Sequence, residues 1–130
     1  MKKKHKRIKL TVCSFAEIEA KTLERDRKIR AGAQVEPLVP ELSFADLPTF
    51  LATFTTKRAE LLSFLRSNGP TTIRQLAVLL QRDFKNTHTD VQLLKRLDLI
   101  REDKQRKIYV PWDEVDVDMH MDLTLAAHVA

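Results

Sequence analysis

Three helical segments follow one another closely in residues 55–98, and the chain then changes to the apolar period of a β-strand. Each segment begins at a residue whose side chain caps helices: these residues are Thr55, Thr72 and Asp83. Leucines recur on one face of every segment at intervals of three and four residues. After Leu99, apolar residues flank the polar turn of residues 102–106, which predicts a β-hairpin. This order of elements restricts the fold more than any other feature of the chain.

A winged helix-turn-helix has this order of elements: helix, short helix, turn, longer helix and hairpin. In that fold the second helix of the pair enters the major groove of DNA, and the hairpin reaches the neighbouring backbone. We therefore predict an α+β chain, mostly α, in which residues 43–123 form a winged-helix domain with a C-terminal strand. Residues 1–42 are predicted to be an N-terminal extension of strand, helix and linker, and residues 124–130 a tail.

Two segments near the ends of the chain alternate in the strand period and carry opposite charges. In residues 7–12 the apolar positions alternate mostly with bases, and in residues 114–123 they alternate mostly with carboxylates. If the segments pair, Arg7 and Lys9 face carboxylates, and the apolar residues share the other side of the sheet. We predict this pairing, either within one chain or exchanged between two.

A helix and a linker are predicted between the first strand and residue 43. Ser14 and Glu17 form a capping box, Gly32 marks the helix end, and the apolar face between them is thin, so we expect an exposed helix. Residues 32–42 contain one glycine and two prolines without periodicity, which is typical of a linker. Further on, Pro48 has to lie in the first turn of any helix that contains it.

Charge is distributed unevenly along the chain, whose net charge is +5. Residues 1–9 carry six bases and no acid, residues 55–112 carry twelve bases and six acids, and residues 113–130 carry five acids and no base. Two basic blocks favour a polyanionic partner. The acidic end is expected to lie away from that partner, because phosphates would repel its carboxylates.

The third helical segment carries polar residues opposite its apolar stripe, at spacings of three and four. Asn and Gln pair bidentately with adenine, while Thr and His bind base edges or phosphates. The residues predicted to contact bases are Asn86, His88, Thr89, Gln92 and Arg96. Those predicted to contact phosphates are Thr71, Thr72, Arg74, Lys85, Lys104, Arg106 and Lys107. The alternative interpretation of the same pattern is an ordinary solvated helix face.

In its order of motifs the sequence resembles the small prokaryotic winged-helix regulators that are loosely MarR-like. The matching segments are the first strand with its Ser14 turn, SFADL at 43–47, the T-x-K-R of 55–58, TIRQLA at 72–77, RDFKNTHTDVQLLKRLDLI at 82–100 and VPWDEV at 110–115. The resemblance implies DNA binding through the helix that starts near Asp83, and a toxin-like partner beside some members. The sequence departs from the pattern at Thr89, where a base is usual, at Asp98, where glycine is usual, and at Pro48.

The predicted function is sequence-specific binding of double-stranded DNA by a transcriptional regulator, expected to be a repressor and a homodimer. One alternative is an antitoxin-like protein that binds and neutralises a small basic toxin and autoregulates its operon. A second alternative keeps the winged helix as a protein-binding module without DNA. We expect no membrane partner, because no apolar run approaches the roughly 20 residues of a membrane-spanning helix.

The sequence predicts neither an enzyme nor a metal or cofactor site. The chain has only two glycines, which excludes a P-loop and a dinucleotide-binding fingerprint. A nuclease site that holds Mg²⁺ could be imagined from Pro40-Glu41 and Glu102-Asp103-Lys104, but residues 102–104 fall at the hairpin tip, where nothing would exclude solvent or fix their geometry. Asp118, His120 and Asp122 share one strand face but lie about 7 Å apart, too far for joint ligation.

Cysteine usage and the start of the chain favour the cytoplasm. Cys13 is the single cysteine, so an internal disulfide or a CxxC site is excluded. The basic start is not followed by the apolar segment of a signal peptide. We therefore expect a cytoplasmic protein that associates with the nucleoid.

Overall fold

The structure, a computed structural model, describes residues 5–36, 38–119 and 123, and these form an α+β protein. In chain order the elements are β1 (Arg7–Val12), α1 (Phe15–Arg30), β2 (Glu41–Phe44), α2 (Leu47–Thr53), α3 (Thr56–Asn68), α4 (Ile73–Leu80), α5 (Phe84–Arg96), β3 (Arg101–Glu102), β4 (Ile108–Tyr109) and β5 (Glu114–Met119). Within this part of the chain no helix is long and apolar enough to span a membrane.

Contacts divide the described residues into two compact units. The helical unit comprises residues 5–6 and 54–113, and the sheet unit comprises the described residues within 7–53 and from 114 onwards. This division differs from the predicted one, which ended the N-terminal extension at residue 42 and assigned the acidic strand to the other domain. The difference arises because β5 pairs with β1, so the two ends of the chain belong to one unit.

The sheet unit contains three parallel strands in the order β2, β1, β5. Arg7 lies opposite Glu114, and Val12 lies opposite Met119. The predicted pairing of the basic strand with the acidic strand is therefore confirmed, and it forms within one chain. The prediction extended this strand to residue 123, but Leu123 is helical, and residues 120–122 lie outside the described residues.

The two faces of the β1–β5 pair differ as the alternation predicts. On the charged face, Arg7 lies 2.9 Å from a carboxylate oxygen of Glu114 and 3.2 Å from one of Asp116, and Lys9 lies 3.5 Å from Asp118. On the other face, Ile8, Leu10 and Val12 of β1 are buried, whereas Val117 and Met119 of β5 are 43% and 51% exposed, so the expected burial is found for β1 and not for β5. Exposed ion pairs contribute little, about 0–1 kcal/mol each, so the buried apolar residues of β1 supply more of the stability.

α1 begins and ends as the sequence predicts. The Ser14 hydroxyl accepts a hydrogen bond from the backbone N–H of Glu17 at 3.2 Å, which satisfies one of the free donors of the first turn. Gly32 follows the helix with φ +84°, a left-handed conformation that favours glycine. No residue of α1 is buried, so the expectation of an exposed helix is confirmed.

The predicted linker of residues 32–42 extends two residues too far, because β2 begins at Glu41. The backbone N–H of Cys13 donates to Phe44 and the hydroxyl of Thr11 donates to the Glu41 carboxylate at 2.6 Å, so the neighbouring strand organises this segment. Pro48 lies in the first turn of α2, as predicted. The rings of Phe44 and Phe50 meet edge to face at 5.2 Å, which packs α2 against β2.

In the helical unit all three predicted caps are present. The side chains of Thr55, Thr72 and Asp83 each accept from the backbone N–H three residues later. The buried apolar residues of the unit are Leu61, Leu62, Leu65, Leu76, Ala77, Val91, Leu94, Leu99, Ile100, Ile108, Val110 and Trp112. The third helix is shorter than predicted, because α5 ends at Arg96 and Leu97 is its half-buried cap.

The predicted hairpin is formed by β3 and β4, with Arg101 opposite Tyr109. A bridge outside the hairpin joins it to the start of α4: the backbone of Thr71 both donates to and accepts from Ile108, at 3.1 and 2.7 Å. At the entrance of the hairpin Asp98 has φ 59°, so the turn forms without glycine, as expected.

Candidate nucleic-acid interface

α5 turns one side to the core of the helical unit and the other to solvent. Thr87, Val91 and Leu94 are fully buried. The predicted DNA-binding residues of this helix lie on the remaining surface: Lys85, Asn86, His88, Thr89 and Arg96 are exposed, and Gln92 is half-buried. The structure therefore brings these six predicted residues together on one helix surface.

The one acidic residue within α5, Asp90, is enclosed by two arginines. Its carboxylate accepts from Arg58 at 3.1 Å and from Arg82 at 2.8 Å, and only 14% of its side chain is exposed. Arg58 belongs to the first turn of α3, and Arg82 belongs to the turn between α4 and α5. The two ion pairs thus fix the orientation of α5 and neutralise its carboxylate. The sequence alone does not reveal this cluster, because its members are separated by up to 32 residues along the chain.

An open cleft of about 490 Å³ lies between the start of α3 and α5. Asn86 and Thr89 line it on one side, and Lys57 lines it on the other. The Thr89 hydroxyl donates to the backbone carbonyl of Lys85 at 3.0 Å, so its free capacity is as an acceptor. Lys57 is an exposed cation that was not among the predicted site residues. The cleft extends the candidate interface from α5 to the first turn of α3.

A row of stacked side chains joins α4 to the first turn of α5. The guanidinium of Arg74 lies over the ring of Phe84 at 4.9 Å, and the His88 ring lies 5.8 Å from the same ring at 37°. Arg74 was predicted to contact phosphate and His88 to contact a base. Phe84, which links them, was not predicted as a site residue, although it directly follows the cap of this helix.

Four of the predicted phosphate contacts lie on α4 and α5 or just before α4. Arg74 and Lys85 are exposed, and the exposed Thr72 uses its hydroxyl oxygen to cap α4. Thr71 differs from the prediction, because only 9% of it is exposed and its backbone pairs with Ile108. Thr71 therefore attaches the hairpin to α4 and offers little surface to a ligand.

The basic turn, Lys104, Arg106 and Lys107, lies between β3 and β4, and all three residues are exposed. Asp103 organises it: its carboxylate accepts from the backbone N–H groups of Gln105 and Lys107, both at 2.9 Å. Arg106 has φ 63°, in the left-handed region. The turn therefore has a defined backbone that directs three cations into solvent.

Two carboxyl groups of the helical unit have lowered pKa values. Hydrogen bonds from Arg101 hold the pKa of Asp98 below its ordinary value. The backbone N–H of Lys6, at 2.8 Å, and the guanidinium of Arg66 do the same to the pKa of Asp113. Both groups are therefore held in their charged form, and both act structurally rather than on the surface of α5.

The acidic strand β5 has structural partners for its charges. Glu114 and Asp116 lie against Arg7, and Asp118 lies against Lys9, so these carboxylates are engaged in ion pairs within the chain. Among residues 5–36, 38–119 and 123, no group of three His, Cys, Asp or Glu could hold a metal ion. His120 and Asp122, considered above as ligands, lie outside these residues.

Fold and surface together define a small α+β protein whose helical unit presents a basic helix face and a basic hairpin turn. The chain belongs to the HVO_A0114 family, whose model matches residues 53–117. The matched range contains α3 to β4 with the whole candidate interface, and the first part of β5. The comparisons with curated proteins and with solved structures found no match. The resemblance to MarR-like regulators stays a prediction.

Proposed function

We propose that the protein is a sequence-specific DNA-binding transcriptional regulator that uses residues 54–113 as a winged helix-turn-helix. In this proposal α5 enters the major groove, and the basic turn contacts phosphates of the neighbouring backbone. The order of α3, α4, α5 and a two-stranded hairpin supports this fold. The bridge from Thr71 to Ile108 supports it further, because it attaches the hairpin beside the start of α4.

The observation that carries the proposal is that the one carboxylate of α5, Asp90, is ion-paired and largely buried. The predicted contact surface of α5 combines cations with hydrogen-bonding side chains, and the helix's one carboxylate, Asp90, lies in the wall of the cleft, where it is 14% exposed and paired with Arg58 and Arg82. A helix that enters a DNA groove passes between two rows of phosphates, which would repel an exposed carboxylate. A helix face that contacts only water could carry an exposed carboxylate without an energetic cost.

Contacts to bases and to phosphates are assigned to different parts of this surface. Asn86, His88 and Thr89 lie in the first half of α5, the part of a recognition helix that reaches base edges. Gln92 and Arg96 continue the surface toward the end of the helix. The groups assigned to phosphates are Thr72, Arg74, Lys85, Lys104, Arg106 and Lys107, and these position the protein without reading sequence.

Removing the charges of the basic turn tests the phosphate assignment. The variant is Lys104→Ala, Arg106→Gly and Lys107→Ala together; glycine is used at 106 because that residue has a left-handed backbone. Binding to every duplex should weaken, because the lost contacts are to phosphates. The plot of log K against log salt should become shallower, with the magnitude of its slope decreasing by about 0.9 for each contact removed. Fluorescence anisotropy between low and moderate salt measures this slope.

A matched control removes the same charge from α1, by Lys21→Ala, Lys28→Ala and Arg30→Ala. All three of these residues are exposed in the sheet unit. The control should keep the salt slope of the unmodified protein. This result would show that the slope change in the turn variant depends on where the removed charges lie and not on how many are removed. Equal slopes for the turn variant and the unmodified protein would show that the hairpin does not contact DNA.

A further inference from the structure

The side chain of Phe84 is more exposed than expected for a residue at a core position of a helix. Its spacing of seven residues from Val91 puts it in line with the buried side of α5, yet 41% of it is exposed whereas Val91 is fully buried. A large aromatic surface in water is unfavourable. Since Phe84 is the first residue of α5, its ring extends beyond the apolar core and meets Arg74 and His88.

The ring and its two neighbours form a composite surface at the start of α5. Arg74 approaches the ring at 4.9 Å, a cation–π contact that restricts the guanidinium to few orientations. The His88 ring lies at 5.8 Å and is itself exposed. An apolar patch is thus placed between a cation suited to phosphate and an imidazole suited to a base edge.

We propose that Phe84 determines sequence preference by packing against the 5-methyl group of a thymine, with Arg74 bound to the adjacent phosphate. The inference rests on the proposed function and names a recognition element within it. Thymine is the one DNA base that presents a methyl group in the major groove, and phenylalanine is among the side chains that contact it. The first turn of a recognition helix is the part that approaches base edges.

A protein partner is the competing occupant of this patch, because Val78 is 67% exposed one helical turn beyond Arg74. Val78 lies on the exposed side of α4 and does not belong to the stacked row of Arg74, Phe84 and His88. The variant Val78→Ala therefore serves as the matched control. It removes a comparable exposed apolar side chain from the same neighbourhood and leaves the stacked row intact.

The test uses the duplex that the unmodified protein enriches from random DNA, with each thymine in turn replaced by deoxyuridine. This replacement deletes only the methyl group. At one thymine in each half-site the unmodified protein should bind about fourfold more weakly, the effect of losing one buried methyl group. Phe84→Ala should bind the thymine and deoxyuridine duplexes equally, Phe84→Leu should keep part of the difference, and Val78→Ala should keep all of it.

Two results would overturn the inference while leaving DNA binding in place. One is an unmodified protein that binds its enriched duplex and shows no preference for thymine over deoxyuridine at any position. The other is a preference that survives in Phe84→Ala, whose fold is verified by circular dichroism. Failure to bind any duplex at low salt would instead remove the proposed function itself. Loss of self-association in both Phe84→Ala and Val78→Ala, without a methyl effect, would assign the patch to a protein interface.

Discussion

Asp98 connects α5 to the hairpin through both its backbone and its side chain. Its carbonyl oxygen accepts from the indole N–H of Trp112 at 2.7 Å, and its carboxylate accepts two hydrogen bonds from Arg101, both at 2.8 Å. Its φ of 59° lies in the left-handed region, which Asp and Asn tolerate better than other residues with a side chain. One residue thus provides the turn and the ion pair that begin the hairpin.

Three substitutions at Asp98 separate the turn from the ion pair. Asp98→Ala should destabilise the protein by about 1–2 kcal/mol, because alanine is strained in a left-handed backbone and the pair with Arg101 is lost. Asp98→Gly and Asp98→Asn should cost less, since both residues adopt this backbone more easily. Chemical denaturation measures the three differences. An alanine variant as stable as the glycine variant would contradict the backbone argument.

The pair also predicts a pH dependence of stability. Because the pKa of Asp98 is lowered in the folded state, its contribution is complete above the ordinary aspartate pKa of about 3.9 and is lost as the pH falls through the lower folded value. Asp98→Asn should remove this part of the acid sensitivity. The remaining sensitivity includes Asp113, whose pKa is lowered as well.

At the residue scale, sequence reasoning succeeds where the chemistry is local. The caps at Ser14, Thr55 and Thr72 depend on residues three positions apart, and the structure contains all of them. The burial of Thr71 could not be read in the same way, because it depends on a bridge to Ile108, which is distant in sequence. The exposure of Phe84 escaped prediction for a similar reason, since helix periodicity does not tell where the core ends.

At the scale of elements, β1 organises the sheet unit as its central strand, paired on one side with β2 and on the other with β5. The alternation of charge predicted the β1–β5 pair, because each strand shows one apolar and one polar face. Alternation gives no strand direction, so the parallel arrangement was not predicted. β2 was not predicted at all, since four residues beside a proline carry too little periodicity for a strand.

Deleting residues 1–12 removes β1 and should abolish the sheet unit. Both edge strands lose their hydrogen-bonding partner, and the apolar side chains of β5 lose the buried residues Ile8, Leu10 and Val12. We expect reduced solubility and rapid proteolysis between residues 14 and 53, measured by limited digestion and mass spectrometry. Deletion of residues 1–4 serves as the control and should leave the digestion pattern unchanged. Equal resistance of both variants would contradict the central role of β1.

At the scale of the whole molecule, the chain passes between the two units three times, after residues 6, 53 and 113. A boundary drawn along the sequence cannot show such an arrangement, because β1 and β5 are paired across 107 positions. The helical unit was more accessible to sequence reasoning, since its elements are contiguous. The basic surface of α5 was predicted from spacing, whereas its ion-paired Asp90 required the structure.

Selection of bound sites from random duplex DNA tests the central claim, that α5 reads DNA sequence, most directly. We expect an enriched motif with two half-sites separated by about one helical turn, as a homodimer would require. Repeating the selection with Asn86→Ala should relax the preference at one position of each half-site. A retained pool with no enriched sequence, or the same motif at full strength with the variant, would contradict the assignment of α5 as the recognition helix.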